Sequence, residues 1–197
     1  MNQFETLNTL AKAHGGYLQT ADAVKNGISK TVLAKFVKEY DYERVAHEIY
    51  LSPEAWYDTM YLLQLRCPKI VFSHGTALYL FDMTDRDPLR YTVTVKNGYN
   101  ATRLKDANIK VFSVKKDFFK IGVVKVKNPF GNEVFTYNPE RTLCDVIRGK
   151  KKLDIQLLQD GLKEYVLRED KNIPLLMEYA KIFRVEYPLK RSLEILL

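Results

Sequence analysis

The residues best placed to do chemistry in this chain are cations on one side of a short helix. In "NGISKTVLAKFV", residues 26–37, a step of 100° per residue gathers Val32, Leu33, Phe36 and Val37 into one apolar stripe. Thr31, Ala34, Lys35 and Lys38 then point the opposite way. A hydroxyl and two ammonium groups on a small-residue face make a surface that meets phosphate oxygens and base edges in a major groove. A solvated helix face is the plain alternative for the same residues. Ser29 stands where an N-cap hydroxyl accepts from a free amide of the first turn, and Lys30 joins it near a backbone phosphate at the helix entrance. None of these is the bidentate arginine that most often specifies a base, so sequence preference would rest partly on DNA shape and repeated sites.

Three other groups carry possible chemistry. Lys110, Lys115, Lys116, Lys120, Lys125 and Lys127 fall on or between strands expected to be adjacent, and Lys150, Lys151 and Lys152 form a run in a helix connection. Solubility explains most surface lysine. The functional alternative is an extended phosphate track or a partner surface, each neutralised phosphate steepening the salt dependence of log K by about 0.9. Asp82, Asp85 and Asp87 would suit a divalent cation, yet carboxylates beside Pro88 are also ordinary loop chemistry. No activated nucleophile or phosphate-cradling glycine loop accompanies them, and His74 reads as a loop-orienting residue, so neither an enzyme nor a metal or cofactor is expected. His14 and His47 lack partners at ligand spacing.

The elements that would position the basic helix are legible on both sides of it. Leu7, Leu10, Ala11 and His14 share a face of a first helix over 2–14, and "GGYLQ" breaks it into a short extended piece. Thr20 is a candidate cap for a helix through Ala21, Val24 and Lys25, which Asn26-Gly27 stops. After the basic helix, "YERVAHEIYLS" (42–52) alternates like a two-stranded wing, without an Asn-Gly or Asp-Gly tip. The wing would place Arg44 or His47 near a phosphate or a minor groove. This order predicts a winged helix-turn-helix domain over 1–52 that binds duplex DNA, two copies reading inverted half-sites.

Residues 53–197 predict a second domain. "EAWYDTMYLLQLRCP" sets Trp56, Met60, Leu63 and Cys67 on one helical face. "RYTVTVKN" alternates Tyr91, Val93 and Val95 inward with Thr92 and Thr94 outward. Residues 109–114 and 120–128 read as strands, the latter turned by "NPFGN" into "EVFTYN". Asn138 caps a helix opened by Pro139; Leu158, Leu162, Tyr165 and Val166 mark another, and Pro174 and Pro188 open two more. Strands followed by helices give an α+β class. Arg141 and Asp145, at i and i+4, would pair on the helix surface for a few tenths of a kcal/mol, and Glu140 would favour the positive end of that helix.

The net charge of +7 favours an anionic partner but is unevenly placed. Residues 1–51 carry six basic and six acidic side chains, so the excess lies in the second domain. Two cysteines, Cys67 and Cys144, make neither a metal knuckle nor a disulfide scaffold. No signal segment and no membrane-length apolar run is present, so a cytoplasmic protein without a membrane partner is expected.

The segments "FSHGTALYLFDMTDRDP" (72–88) and "TYNPERTLCDVI" (136–147), behind such a head, resemble the antitoxins of AbiE-type abortive-infection systems. The resemblance spans nearly the whole chain. It implies a bacterial transcriptional regulator of a type IV toxin–antitoxin system. The N-terminal domain would repress its own promoter at inverted repeats. The C-terminal domain would neutralise a cognate nucleotidyltransferase toxin, with or without a stable complex. A plain repressor whose second domain dimerises or senses a ligand is the alternative.

Overall fold

The computed structural model describes residues 2–149 and 155–194, which leaves Lys150, Lys151 and Lys152 outside the described residues. The chain divides into two compact units, one of residues 1–66 with 129–132, the other of 67–128 with 133–197. Its class is α+β.

The first unit runs α1 (Gln3–Ala13), β1 (Tyr17–Gln19), α2 (Thr20–Lys25), α3 (Lys30–Glu39), β2 (Glu43–Ala46), β3 (Ile49–Leu51) and α4 (Thr59–Arg66). Helix α1 opens on a capping box: the Asn2 side chain accepts from the Phe4 amide, and Glu5 accepts from the Asn2 amide at 3.0 Å. Thr20 is the first residue of α2 rather than its cap, and it is buried. Its amide donates to the Glu48 carbonyl at 3.0 Å, which ties α2 to the β2–β3 turn. Leu7, Leu18, Ala23, Ile28, Leu33 and Phe36 form the core, with Val32 and Val37 at its margin. Phe36 meets Phe4, Tyr40 and Tyr42 at centroid distances of 5.4, 4.6 and 5.4 Å, so its burial and ring contacts stabilise the unit by about 2–4 kcal/mol.

The three strands pair antiparallel in the order β1-β3-β2. Ala46 pairs with Ile49, leaving His47 and Glu48 as a two-residue connection, and a bulge falls at Val45. Glu48 takes a left-handed φ of 56°, a strained conformation for a residue with a side chain.

The expected boundary at Ser52-Pro53 falls inside the first unit. Asp58 is fully buried there: its amide donates to the Tyr17 hydroxyl at 2.7 Å, and its carboxylate accepts from the Tyr61 amide at 2.9 Å and from Asn132 Nδ2 at 2.8 Å. Asp58 thereby starts α4 at Thr59. The helical face expected to begin at Trp56 therefore begins at Met60, with Leu63 also buried on it, and Trp56 is 82% exposed. Asn132 also lies against Gly15, whose φ of 59° and missing Cβ make room for it.

The second unit holds β4 (Val71–Phe72), α5 (His74–Leu80), β5 (Thr92–Lys96), α6 (Thr102–Asp106), β6 (Lys110–Val114), α7 (Lys116–Phe119), β7 (Val123–Lys127), β8 (Glu133–Tyr137), α8 (Pro139–Gly149), α9 (Ile155–Leu167), α10 (Ile173–Ile182) and α11 (Glu186–Glu194). The sheet order is β6-β5-β4-β8-β7. β5–β6 and β4–β8 are parallel; β4–β5 and β7–β8 are antiparallel. Parallel neighbours need crossovers, which is why short helices interleave with the strands before the helical run begins.

Two strand expectations change. Thr92 and Thr94 are buried, as are Val93 and Val95, because β5 is an inner strand covered on both faces. Thr94 Oγ1 donates to Ser73 Oγ at 2.9 Å, and the Thr92 amide donates to Thr76 Oγ1 at 2.8 Å. β6 and β7, expected to be adjacent, are the two outer strands; three strands and roughly 19 Å separate them. Lysines on such edges discourage the addition of a foreign strand.

Among the described residues no helix is long and apolar enough to cross a membrane.

Candidate functional site

Ser29 caps α3 as expected: its backbone is extended and its hydroxyl accepts from the Val32 amide at 3.3 Å. Thr31, Ala34, Lys35 and Lys38 are exposed, while Leu33 and Phe36 are buried on the opposite side. Lys35 and Lys38 make no ion pair among the described residues. Lys30 differs, since its Nζ meets Glu48 Oε1 at 2.9 Å. The hydrogen bond raises the Lys30 ammonium above its ordinary value and lowers the Glu48 carboxyl. Both groups are solvent-exposed, so salt screens the pair. Arg44 on β2 and His47 at the turn are exposed and lie near enough to Glu48 to act on it electrostatically. The fold thus brings Lys30, Arg44 and His47 around one acidic residue, beside a free face of Thr31, Lys35 and Lys38.

The lysines of the second unit do not assemble into one face. Lys110, on β6, lies 5.7 Å from the Phe112 ring centroid, while Lys125, on β7, bonds Glu133 at 3.1 Å and lies 5.6 Å from the Phe135 ring. Lys127 is exposed on the β7 edge, and Lys115, Lys116 and Lys120 are exposed around α7. Sequence reasoning passed over Lys96, whose Nζ stands 5.1 Å from the Phe119 ring.

The densest polar chemistry lies inside the second unit. Arg141 and Asp145, expected as a surface pair, are 0% and 3% exposed, with Nε to Oδ2 at 2.9 Å. Arg141 Nη1 donates to the carbonyls of Phe118 at 2.7 Å and Ile121 at 2.9 Å, and the guanidinium lies 4.2 Å from the Tyr137 ring centroid and 4.0 Å from that of Phe183. Gly122 (φ 74°) gives this side chain room, since a Cβ there would press on Arg141 and Asn138. Burial raises the Asp145 carboxyl against the pull of Arg141. Glu140 is buried too and accepts from the Tyr165 hydroxyl at 3.1 Å and the Asn172 amide at 3.3 Å, holding the turn into α10. The available signal was composition: Leu143, Cys144, Val146 and Ile147 leave α8 too narrow a polar side to sit on a surface.

His74 closes this cluster. Its φ is 51°, its ring stacks on Phe112 at 3.8 Å and 21°, and it is buried. Its Nδ1 lies 2.9 Å from Ser73 Oγ, within hydrogen-bond distance. Burial, with help from Arg141, Lys110 and Arg148, pushes the imidazole down to about 3. The ring is neutral, buried and stacked on Phe112, which makes it a structural residue. Because the folded value lies below the unfolded one, the unfolded chain takes up the proton first, and stability falls as pH drops below about 6.5. Urea titrations between about pH 7 and 5 should show this loss, and His74→Gln should flatten it; an unchanged slope would contradict the assignment.

Asp82, Asp85 and Asp87 are exposed, and no group of three or more His, Cys, Asp or Glu residues is placed to hold a metal among the described residues. Burial pushes the Cys144 thiol up to about 12, so it stays protonated and inert.

No family model matches this sequence, and neither does any curated protein. Among solved structures, the fold is similar to that in the crystal structure of the RV2827C protein from Mycobacterium tuberculosis, at a TM-score of 0.57. Identity is 10%, over 100% of this chain and 81% of that one, so the likeness is one of fold alone.

Proposed function

We propose that this chain is a DNA-binding transcriptional regulator whose first unit is a winged helix-turn-helix, and that it serves as the antitoxin of an abortive-infection toxin–antitoxin pair. The observation that carries the DNA reading is the outer face of α3, where Lys35 and Lys38 stand exposed with no acidic partner among the described residues. The order α1-β1-α2-α3-β2-β3, with sheet order β1-β3-β2, supports the head assignment. In this reading α3 enters the major groove with Thr31, Lys35 and Lys38 toward the bases and phosphates. Ser29 and Lys30 lie by the backbone at the helix entrance, and Arg44 and His47 approach a flanking phosphate or the minor groove.

The antitoxin role rests on the resemblance of segments 72–88 and 136–147, whose His74, Thr76, Glu140, Arg141 and Asp145 are buried scaffold rather than catalytic surface. In this reading neutralisation of a nucleotidyltransferase acts through repression or through an outer surface of the second unit. Two assays on the full chain test both roles. Footprinting on the DNA upstream of its own gene should protect two inverted half-sites. Co-expression should rescue growth of cells arrested by the neighbouring nucleotidyltransferase. Protection without rescue would leave a plain repressor; absence of protection would end the DNA reading.

A further inference from the structure

Glu48 joins three elements of the first unit. It sits in the β2–β3 turn, and its backbone carbonyl accepts from the Thr20 amide at the start of α2, at 3.0 Å. Its carboxylate accepts from Lys30 Nζ at the start of α3, at 2.9 Å. The backbone of the turn is thus tied to α2, while the side chain is free to change partner. Arg44 and His47 also act on this carboxylate electrostatically, and neither makes a hydrogen bond or ion pair among the described residues. Three groups assigned above to phosphate contacts therefore share one carboxylate.

We propose that Glu48 is a built-in competitor for DNA phosphate, holding Lys30 in the free protein and yielding it to the duplex, and that it thereby keeps sequence-independent binding low. The proposal rests on the reading of the first unit as a DNA-binding head. The Lys30 and Glu48 side chains are 70% and 44% exposed, so water and salt already weaken their pair. A duplex presents one phosphate charge about every 1.7 Å of its axis. The Lys30 ammonium turns on a flexible stem, so a phosphate oxygen replaces the carboxylate oxygen without movement of the backbone. The turn stays where the Thr20 amide holds it, and the released carboxylate remains beside Arg44 and His47 and repels the phosphates they approach. Residues 1–51 carry six basic and six acidic side chains, so no net positive charge masks that repulsion. Contacts of α3 with base edges must then offset it, which disfavours duplexes that lack the right bases.

The test titrates the full chain with the footprinted duplex and with a scrambled duplex of equal length, over a series of sodium chloride concentrations. Glu48→Gln keeps the size of the residue and removes its charge. It should bind the scrambled duplex about fivefold more tightly at low salt, with the slope of log K against log salt steeper by up to about 0.9. Adding Lys30→Gln to Glu48→Gln should remove most of that gain, since the released cation is then absent. Glu48→Asn, neutral and more at ease with a positive φ, should behave as Glu48→Gln does and decides if that variant does not fold by circular dichroism. Glu133→Gln, which frees Lys125 in the second unit by the same change of charge, is the control and should bind as the unaltered chain does. An equal gain in Glu133→Gln would reduce the effect to net charge and overturn the proposal. Unchanged or weaker binding by the folded Glu48 variants would overturn it too, weaker binding making Glu48 a positioning residue. Both outcomes leave the DNA reading standing, because the unaltered chain still binds; a chain that holds neither duplex would end that reading and the proposal with it.

Discussion

Arg141→Ala should destabilise the protein by about 3–5 kcal/mol, read as a shift of the urea midpoint and a fall of roughly 10 °C in Tm. The alanine leaves the Asp145 carboxylate buried beside only Arg148, at 3.5 Å, and strips the donor from the carbonyls of Phe118 and Ile121. It also removes the plate between Tyr137 and Phe183, a cation–π sandwich worth about 2 kcal/mol in a desolvated site. Arg141→Lys should recover little, since a single ammonium cannot reach Asp145 and both carbonyls while spanning two rings. Arg141→Met with Asp145→Leu is the informative double variant. Removing both charges at similar volume should restore much of the lost stability, because neither partner is then stranded. Nη2 of Arg141 is buried with no hydrogen-bond partner among the described residues, so the native arrangement is itself short of its electrostatic best. A loss under about 1 kcal/mol in Arg141→Ala would show that the pair does not hold the unit together.

Lys35→Ala with Lys38→Ala should weaken operator binding by about a hundredfold at moderate salt, from two lost contacts of roughly 1–3 kcal/mol each. The slope of log K against log salt should become shallower by about 0.9 for each cation that met a phosphate. Stability should stay within about 0.5 kcal/mol, since both side chains are exposed and alanine is a good helix former. Lys125→Ala and Lys127→Ala, on the outer strand of the second unit, form the matched control. Equal losses in the two doubles would reduce the effect to net charge, and unchanged binding in Lys35→Ala/Lys38→Ala would remove α3 from the interface.

The parts of the fold legible in the sequence are those where local pattern and tertiary need agree. The Ser29 cap, the buried side of α3, the "NPFGN" hairpin turn and the helix opened by Asn138-Pro139 all carry their cause within a few residues. Strand order does not, because it depends on pairings far apart along the chain, and so Lys110 and Lys127 fell on opposite edges instead of neighbouring strands. Burial of a charged pair is equally non-local. Arg141 and Asp145 have the spacing of a surface pair, and only the strands and helices that close over α8 turn them into a core element. Trp56 fits a helical period but lies outside α4, because Asp58 is recruited by Tyr17 and Asn132 and begins the helix later. The Lys30–Glu48 pair joins α3 to the β2–β3 turn across 18 residues, and no single segment announces it.

Residues 129–132 belong with the first unit although the strands that carry them, β7 and β8, belong with the second. No fragment ending at residue 66 contains everything its compact core uses, since Asn132, the partner of Asp58 and the occupant of the space over Gly15, is left behind. A deletion series will therefore report weakened heads that say nothing about DNA affinity, and a protease nick near residue 66 will not by itself release a native half.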